Sequence, residues 1–224
     1  MTKGECGFQE FCKRNSIIFE PIARTAGKSP DYRLSVGDTI IIAEVKDIEM
    51  NDEEKQACQA IELGQARSWG SNNIGSRVRD AIGKANRQLS QVTQGKLPGI
   101  LILFDNRPWP FNIVFPYEIM VAMYGLETCD FAVSRGLSPP ATPVIVGRRF
   151  GKGRKCGPSH NTSTSAVGVM LPHRQDGRCE FVVYHNQFAA VSISPCTFGS
   201  IETVKQFALK RNTADEFGDW APHE

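Results

Sequence analysis

The chain has 224 residues, enough for one well-filled domain or for a domain with a substantial extension. Hydrophobic content is 41% and charged content 22%, ordinary globular usage that excludes global disorder. The formal net charge of +2 excludes nucleic-acid binding by bulk charge, so any such binding must rest on local clusters.

Phe8, Phe11 and Cys12 fall on one face of a short helix expected over 5–14. Ser16 to Glu20 reads as a strand ended by Pro21. Tyr32 to Val36 alternates apolar and polar, as a half-buried strand does. Gly37-Asp38 is a turn signal, and Thr39 to Val45 is a near-continuous apolar run suited to a strand buried on both faces. Glu53 to Leu63 can be helical. The clearest helix follows, with Ile74, Val78, Ala81, Ile82, Ala85, Leu89 and Val92 recurring at steps of three and four. Ile100 to Phe104 is another buried strand.

Beyond Arg107 the expected elements are a helix over 117–124, a strand over 143–146 and a hairpin formed by 165–171 and 179–185. A last helix is expected over 201–210, before a frayed end. The chain is expected to form a single domain, with a core over 5–105 and a β-rich extension over 106–224 packed on it.

The seven cysteines contain no CxxC pair, and no stretch approaches the roughly 18 apolar residues of a membrane span. The polar N-terminus lacks a signal-peptide core. These features suit a reduced, cytoplasmic protein with cysteines used as small buried hydrophobes. The spacings of Cys156, His160, His173, Cys179 and His185 match no tight zinc-ligand pair.

The chemistry is expected on the hairpin. If Gly37-Asp38 forms a two-residue turn, Val36 faces Thr39, and counting outward brings Asp31 opposite Glu44. Their Cβ atoms would then be roughly 4.5–5.5 Å apart. Lys46 shares the face of Glu44, whereas Ala43 and Val45 point the other way. Two facing carboxylates at the end of a buried strand repel each other, and a divalent cation reverses that sign. Mg²⁺, with Mn²⁺ as substitute, favours such oxygen donors. Asp31, Glu44 and the Val45 backbone carbonyl can supply them.

Pro30-Asp31 followed by Glu44-Val45-Lys46 resembles the PD-(D/E)xK nuclease superfamily, and the helix-strand-strand-strand-helix-strand order of 5–105 is similar to its core. The resemblance covers less than half of the chain. It implies an α/β (α+β) restriction-endonuclease-like fold around a central mixed sheet. It also implies a Mg²⁺-dependent endonuclease acting on DNA, of restriction, defence or repair type. Asp31, Glu44 and Lys46 would be catalytic. An acidic residue of the first helix would join them: Glu10, with Glu5 and Glu20 as alternatives. Lys84 and Gln88, with Arg77 on the same helix, are the implied phosphate or active-site contacts. Arg148, Arg149, Lys152, Arg154 and Lys155 form a basic cluster that can grip phosphates or remain a solvated loop. Duplex cutting by a chain with one such centre implies a homodimer. The alternative is a nuclease-fold protein without activity, acting as a DNA-binding or protein-binding module.

Overall fold

The computed structural model describes residues 1–23, 29–66, 73–108, 111, 116–133, 142–151, 153–172, 179–211 and 217–223. Helix α1 (Lys3–Arg14) leads into strands β1 (Ile18–Pro21), β2 (Tyr32–Val36) and β3 (Thr39–Ile48). Helices α2 (Asp52–Glu62) and α3 (Ser76–Thr93) follow, then β4 (Gly99–Asp105) and α4 (Pro116–Tyr124). Next come β5 (Glu127–Ala132), β6 (Val144–Phe150), β7 (Ala166–Pro172) and β8 (Cys179–His185). The chain closes with α5 (Pro195–Gly199), β9 (Val204–Arg211) and β10 (Phe217–Pro222).

The result is an α/β fold with a mixed eight-stranded sheet in the order β1-β2-β3-β4-β7-β8-β9-β10. The β1, β2 and β3 strands are antiparallel neighbours, whereas β3, β4 and β7 run parallel. Alternation along the central strands sorts their side chains onto two faces. Ala43, Val45, Ile100 and Ile102 join Phe8, Phe11 and Cys12 of α1 on one face. Ile42, Leu101 and Leu103 join Val78, Ile82, Ala85 and Leu89 of α3 on the other, so the core has two layers. This is why β3 and β4 read as unbroken apolar runs.

α1 begins with a capping box. The Thr2 hydroxyl accepts from Glu5 N–H, and Glu5 Oε2 accepts from Thr2 N–H at 2.9 Å. The helix approaches the sheet closely. A Cβ added at Gly7 would lie 2.5 Å from the Phe104 ring, so no larger residue fits there without movement.

The C-terminal residues do more than pack on the core. β7 to β10 continue the same sheet through backbone pairing. The expected helix over 201–210 is absent: Val204–Arg211 is β9, paired parallel to β8, with the short α5 before it. Ile201, Val204 and Phe207 mimic helical spacing. The open edge of β8 nevertheless decides the conformation, because it offers a ladder and stacks Tyr184 on Phe207. The end expected to fray is β10, paired antiparallel to β9. β5 was not foreseen, and it pairs with β6 in a separate two-stranded ribbon. The connection between the two strands of the hairpin expected over 165–171 and 179–185 lies outside the described residues. All seven cysteines are free thiols, and no helix among the described residues is long and apolar enough to cross a membrane.

Candidate metal centre

The hairpin turns at Gly37 with φ of 55°, a conformation open to glycine, and Val36 faces Thr39 as a two-residue turn requires. The ladder runs without a bulge to the pair Tyr32 and Ala43. One step further, Asp31 N–H donates to the Ala43 carbonyl at 3.1 Å. The pairing with β3 ends at Tyr32: Asp31 bonds to Ala43 rather than forming the expected ladder pair with Glu44, and its carboxylate lies next to that of Glu44.

Pro30 then ends β2, because it has no N–H to offer a ladder. β3 continues past that point with one edge uncovered. The Asp31 carboxylate fills the gap: its Oδ2 accepts from Val45 N–H at 2.9 Å. The Val45 carbonyl leaves β3 on the same side as that N–H, beyond the end of β2.

Glu44 lies on the α3 face with Ile42 and is fully buried, at 0% exposure. Its Oε1 accepts from Lys46 Nζ, while Oε2 has no hydrogen-bond partner. Burial pushes its carboxyl up to about 7; the Asp31 carboxylate adds to that shift, and Lys46 opposes it. Lys46 is partly exposed and reaches from solvent to the buried oxygen. The arrangement is thus a carboxylate pair with one orphaned oxygen and one ammonium. An unpaired buried carboxylate oxygen loses its hydration and gains nothing in return, so it calls for a proton or a cation. Among the described residues, no group of three or more His, Cys, Asp or Glu side chains gathers as a ready-made metal cage. The donors available are Asp31, Glu44 and the Val45 carbonyl. That oxygen set suits a hard divalent ion that retains several waters.

The structure does not bring Glu10 to this site. Glu10 is exposed on α1 and lies on the side of Arg14 and Cys179, whose thiol feels both charges. The reason is helical rotation: Glu5 and Gln9 share one face at a spacing of four, and Glu10 is turned about 100° from Gln9. Glu5, nearly buried, lines a cavity with Asp31, Gln9, Tyr32 and Pro30. Within it Gln9 Nε2 donates to the Tyr32 hydroxyl at 3.0 Å. The Thr2-x-x-Glu5 pattern was the available signal, since a capping box places Glu5 in the first turn. Glu20 is exposed on β1, in register with Arg33.

α3 carries Arg77, Ala81, Lys84 and Gln88 as one stripe along its flank. Gln88 is buried, and its Nε2 donates to the Ser29 carbonyl at 3.0 Å. That bond ties the chain just before Pro30-Asp31 to the helix. Lys84, one turn away, is exposed. Arg77 is engaged elsewhere: it donates to Glu54 at 2.9 Å and to the Glu49 carbonyl at 3.2 Å. Glu54 also meets Arg107, which pairs with buried Asp105.

The basic cluster lies apart from this flank. Lys155 Nζ sits 3.9 Å from the Cβ position of Gly83, on the opposite flank of α3, and Arg154 is exposed. Arg148 and Arg149 have backbones in β6, opposite Cys129 and Thr128, and their side chains lie outside the described residues. Lys152 also lies outside the described residues.

Comparison with family models, with curated proteins and with solved structures finds no match to the chain.

Proposed function

We propose that the chain is a divalent-metal-dependent phosphodiesterase of the PD-(D/E)xK type that cleaves DNA. One observation carries this reading. Glu44, beside Asp31 at the end of β2, keeps a fully buried carboxylate oxygen that meets no donor and has the Asp31 carboxylate as its neighbour. A purely structural strand residue would gain by being apolar there. Asp31, Glu44 and the Val45 carbonyl are the groups that would hold Mg²⁺, and Glu5 lines a separate cavity beside Asp31 that Glu44 does not reach. When bound, the metal supplies Lewis acidity toward a phosphate oxygen and lowers the pKa of its water.

The chain's own groups do the rest. Asp31 is held by Val45 N–H and points its carboxylate along the uncovered edge of β3. Gln88 fixes the backbone that presents Asp31. Lys46 carries the positive charge that orients water or offsets charge developing on the phosphate.

The test is Mn²⁺ uptake by titration calorimetry together with plasmid cleavage in Mg²⁺. Wild type takes up Mn²⁺ and cuts, EDTA stops the cutting, and Asp31→Ala, Glu44→Ala and Lys46→Ala each abolish it. Equal cutting by the triple variant at equal purity sinks the assignment. A second reading is a nuclease-fold binding module without activity. It is favoured by the Lys46–Glu44 ion pair, which already neutralises one carboxylate oxygen. That reading requires DNA or protein binding that is unaffected by the carboxylate changes and no Mn²⁺ uptake.

A further inference from the structure

The cavity beside Asp31 holds polar groups that serve no part of the metal centre. It encloses about 330 Å³, within the roughly 300–1,000 Å³ of small-molecule sites, and Pro21, Ile22 and Pro30 give it apolar walls. Tyr32 lines it and is only 4% exposed. Its oxygen accepts from Gln9 Nε2 at 3.0 Å, and its O–H finds no acceptor among the described residues. Because Nε2 is spent on the phenol, the polar atom that Gln9 still offers is Oε1, an acceptor. Glu5, 8% exposed, stands one helical turn before Gln9 on the same face of α1. Its carboxylate can accept beyond the capping bond to Thr2. The chain thus fixes the order of these groups: Tyr32 touches Gln9, and Glu5 follows on the far side of Gln9. Across the cavity they read donor, acceptor, acceptor.

That order selects a ligand. A buried donor without an acceptor is costly, so the ligand must bring an acceptor to Tyr32. A bare cation brings none, and the Glu5 and Asp31 carboxylates repel a phosphate. Guanine presents acceptor, donor, donor along its pairing edge: O6, N1–H and the 2-amino group. Adenine, cytosine and thymine each satisfy at most two of the three positions. From this match we propose that the cavity is a guanine subsite, in which Tyr32 donates to O6 while Gln9 and Glu5 accept from N1–H and the 2-amino group. Asp31 borders both the cavity and the metal centre. The seated base therefore belongs to the nucleotide beside the cleaved bond, a placement that rests on the nuclease reading. Because the pairing edge is the one being read, the guanine must be unpaired, in a single strand or turned out of a duplex.

The test is titration calorimetry on the whole chain in EDTA, with the deoxynucleoside monophosphates of guanine, adenine, cytosine and thymine. A fifth ligand carries hypoxanthine, which is guanine without its 2-amino group. All five share one phosphate, so differences between them report the base. Wild type is expected to bind the guanine nucleotide at least about tenfold more tightly than the adenine, cytosine and thymine nucleotides, with hypoxanthine in between. Glu5→Gln keeps a side chain that can close the capping box, and Tyr32→Phe removes only the hydroxyl. Each variant, checked by circular dichroism and thermal melting, is expected to weaken guanine binding by about tenfold, and Glu5→Gln to shrink the gap between guanine and hypoxanthine. Equal binding of the four bases overturns the proposal. So does no uptake of the guanine nucleotide at millimolar concentration, and so does an unchanged guanine preference in both folded variants. A thymine strand with a single guanine is expected to bind more tightly than the guanine nucleotide; the reverse order overturns the placement beside a cleaved bond and makes the free nucleotide the ligand. Mn²⁺ uptake in the same preparations separates the two ideas. Guanine preference without uptake sinks the metal reading alone, and uptake without guanine preference sinks the guanine reading alone.

Discussion

Glu44 carries a cost in the metal-free protein, and its pH dependence exposes that cost. Its carboxyl titrates near 7 when folded, against 4.5 for an ordinary glutamate. Between those values the folded state holds a proton that the unfolded chain has released. The contribution of this group to stability is therefore full below 4.5 and falls as pH rises toward 7, by up to roughly 3 kcal/mol at about 1.4 kcal/mol per unit. Urea unfolding at intervals between about pH 5 and pH 8 should show this slope. Glu44→Gln should flatten it, and Mn²⁺ should offset the loss at the alkaline end. An unchanged slope in Glu44→Gln would show that the buried carboxyl is not its source. Glu5→Gln is expected to weaken Mn²⁺ uptake less than Asp31→Ala does, because Glu5 borders the cavity without meeting Glu44.

At the scale of elements, two contacts set the geometry of the centre. α1 lies against the sheet through Gly7 and Phe104. Gly7→Val should overpack that contact, cost about 1–3 kcal/mol and lower the melting temperature. Gln88 joins α3 to Ser29. Gln88→Ala should cost about 1–2 kcal/mol and reduce Mn²⁺ affinity, since Asp31 loses its support from the helix. Calorimetry reads both effects, and full Mn²⁺ affinity in a destabilised Gln88→Ala would confine Gln88 to a structural role. The periodicity of α3 and the apolar runs of β3 and β4 were legible because each satisfies its own local pattern against a flat neighbour. Val204–Arg211 was not, because its pattern admits both periods and the open edge of β8 chose between them.

For the whole molecule, the last strand closes the sheet at a histidine pair. His185 is buried on β8, 4.4 Å from the His223 ring by centroid, and its Nε2 meets Gln206 Oε1 at 3.1 Å. Trp220 of β10 packs on Tyr184 and donates to the Pro116 carbonyl at 2.9 Å. Burial, reinforced by His223, lowers the His185 value from 6.5 to about 4. Below 6.5 the unfolded chain takes up a proton that the folded protein refuses, so this contribution is present above 6.5 and is lost as pH falls toward 4. Acid should therefore loosen β10 first. Trp220 fluorescence on acidification should report it before far-ultraviolet circular dichroism changes, and His223→Gln should shift the transition to lower pH. Coincident changes by both probes would show that the last strand is no weaker than the rest.

What the sequence determined by itself was local: the Gly37-Asp38 turn, the alternation that follows from it, and hence Asp31 beside Glu44 with Lys46 on the same face. A two-residue turn fixes the register as far as Tyr32 and Ala43; beyond that pair the chain at Asp31 is placed by bonds from Ile22 of the neighbouring segment and from Gln88 of α3. The tertiary structure decided what surrounds the pair. Rotation of α1 brings Glu5 rather than Glu10 to Asp31, and packing of α3 seals Glu44 from water and leaves one oxygen unpartnered. Neighbouring strands convert 204–211 and 217–222 from expected helix and frayed end into the far edge of the sheet. Burial and sheet-edge pairing depend on residues distant in the chain, so no local pattern in this sequence specifies them.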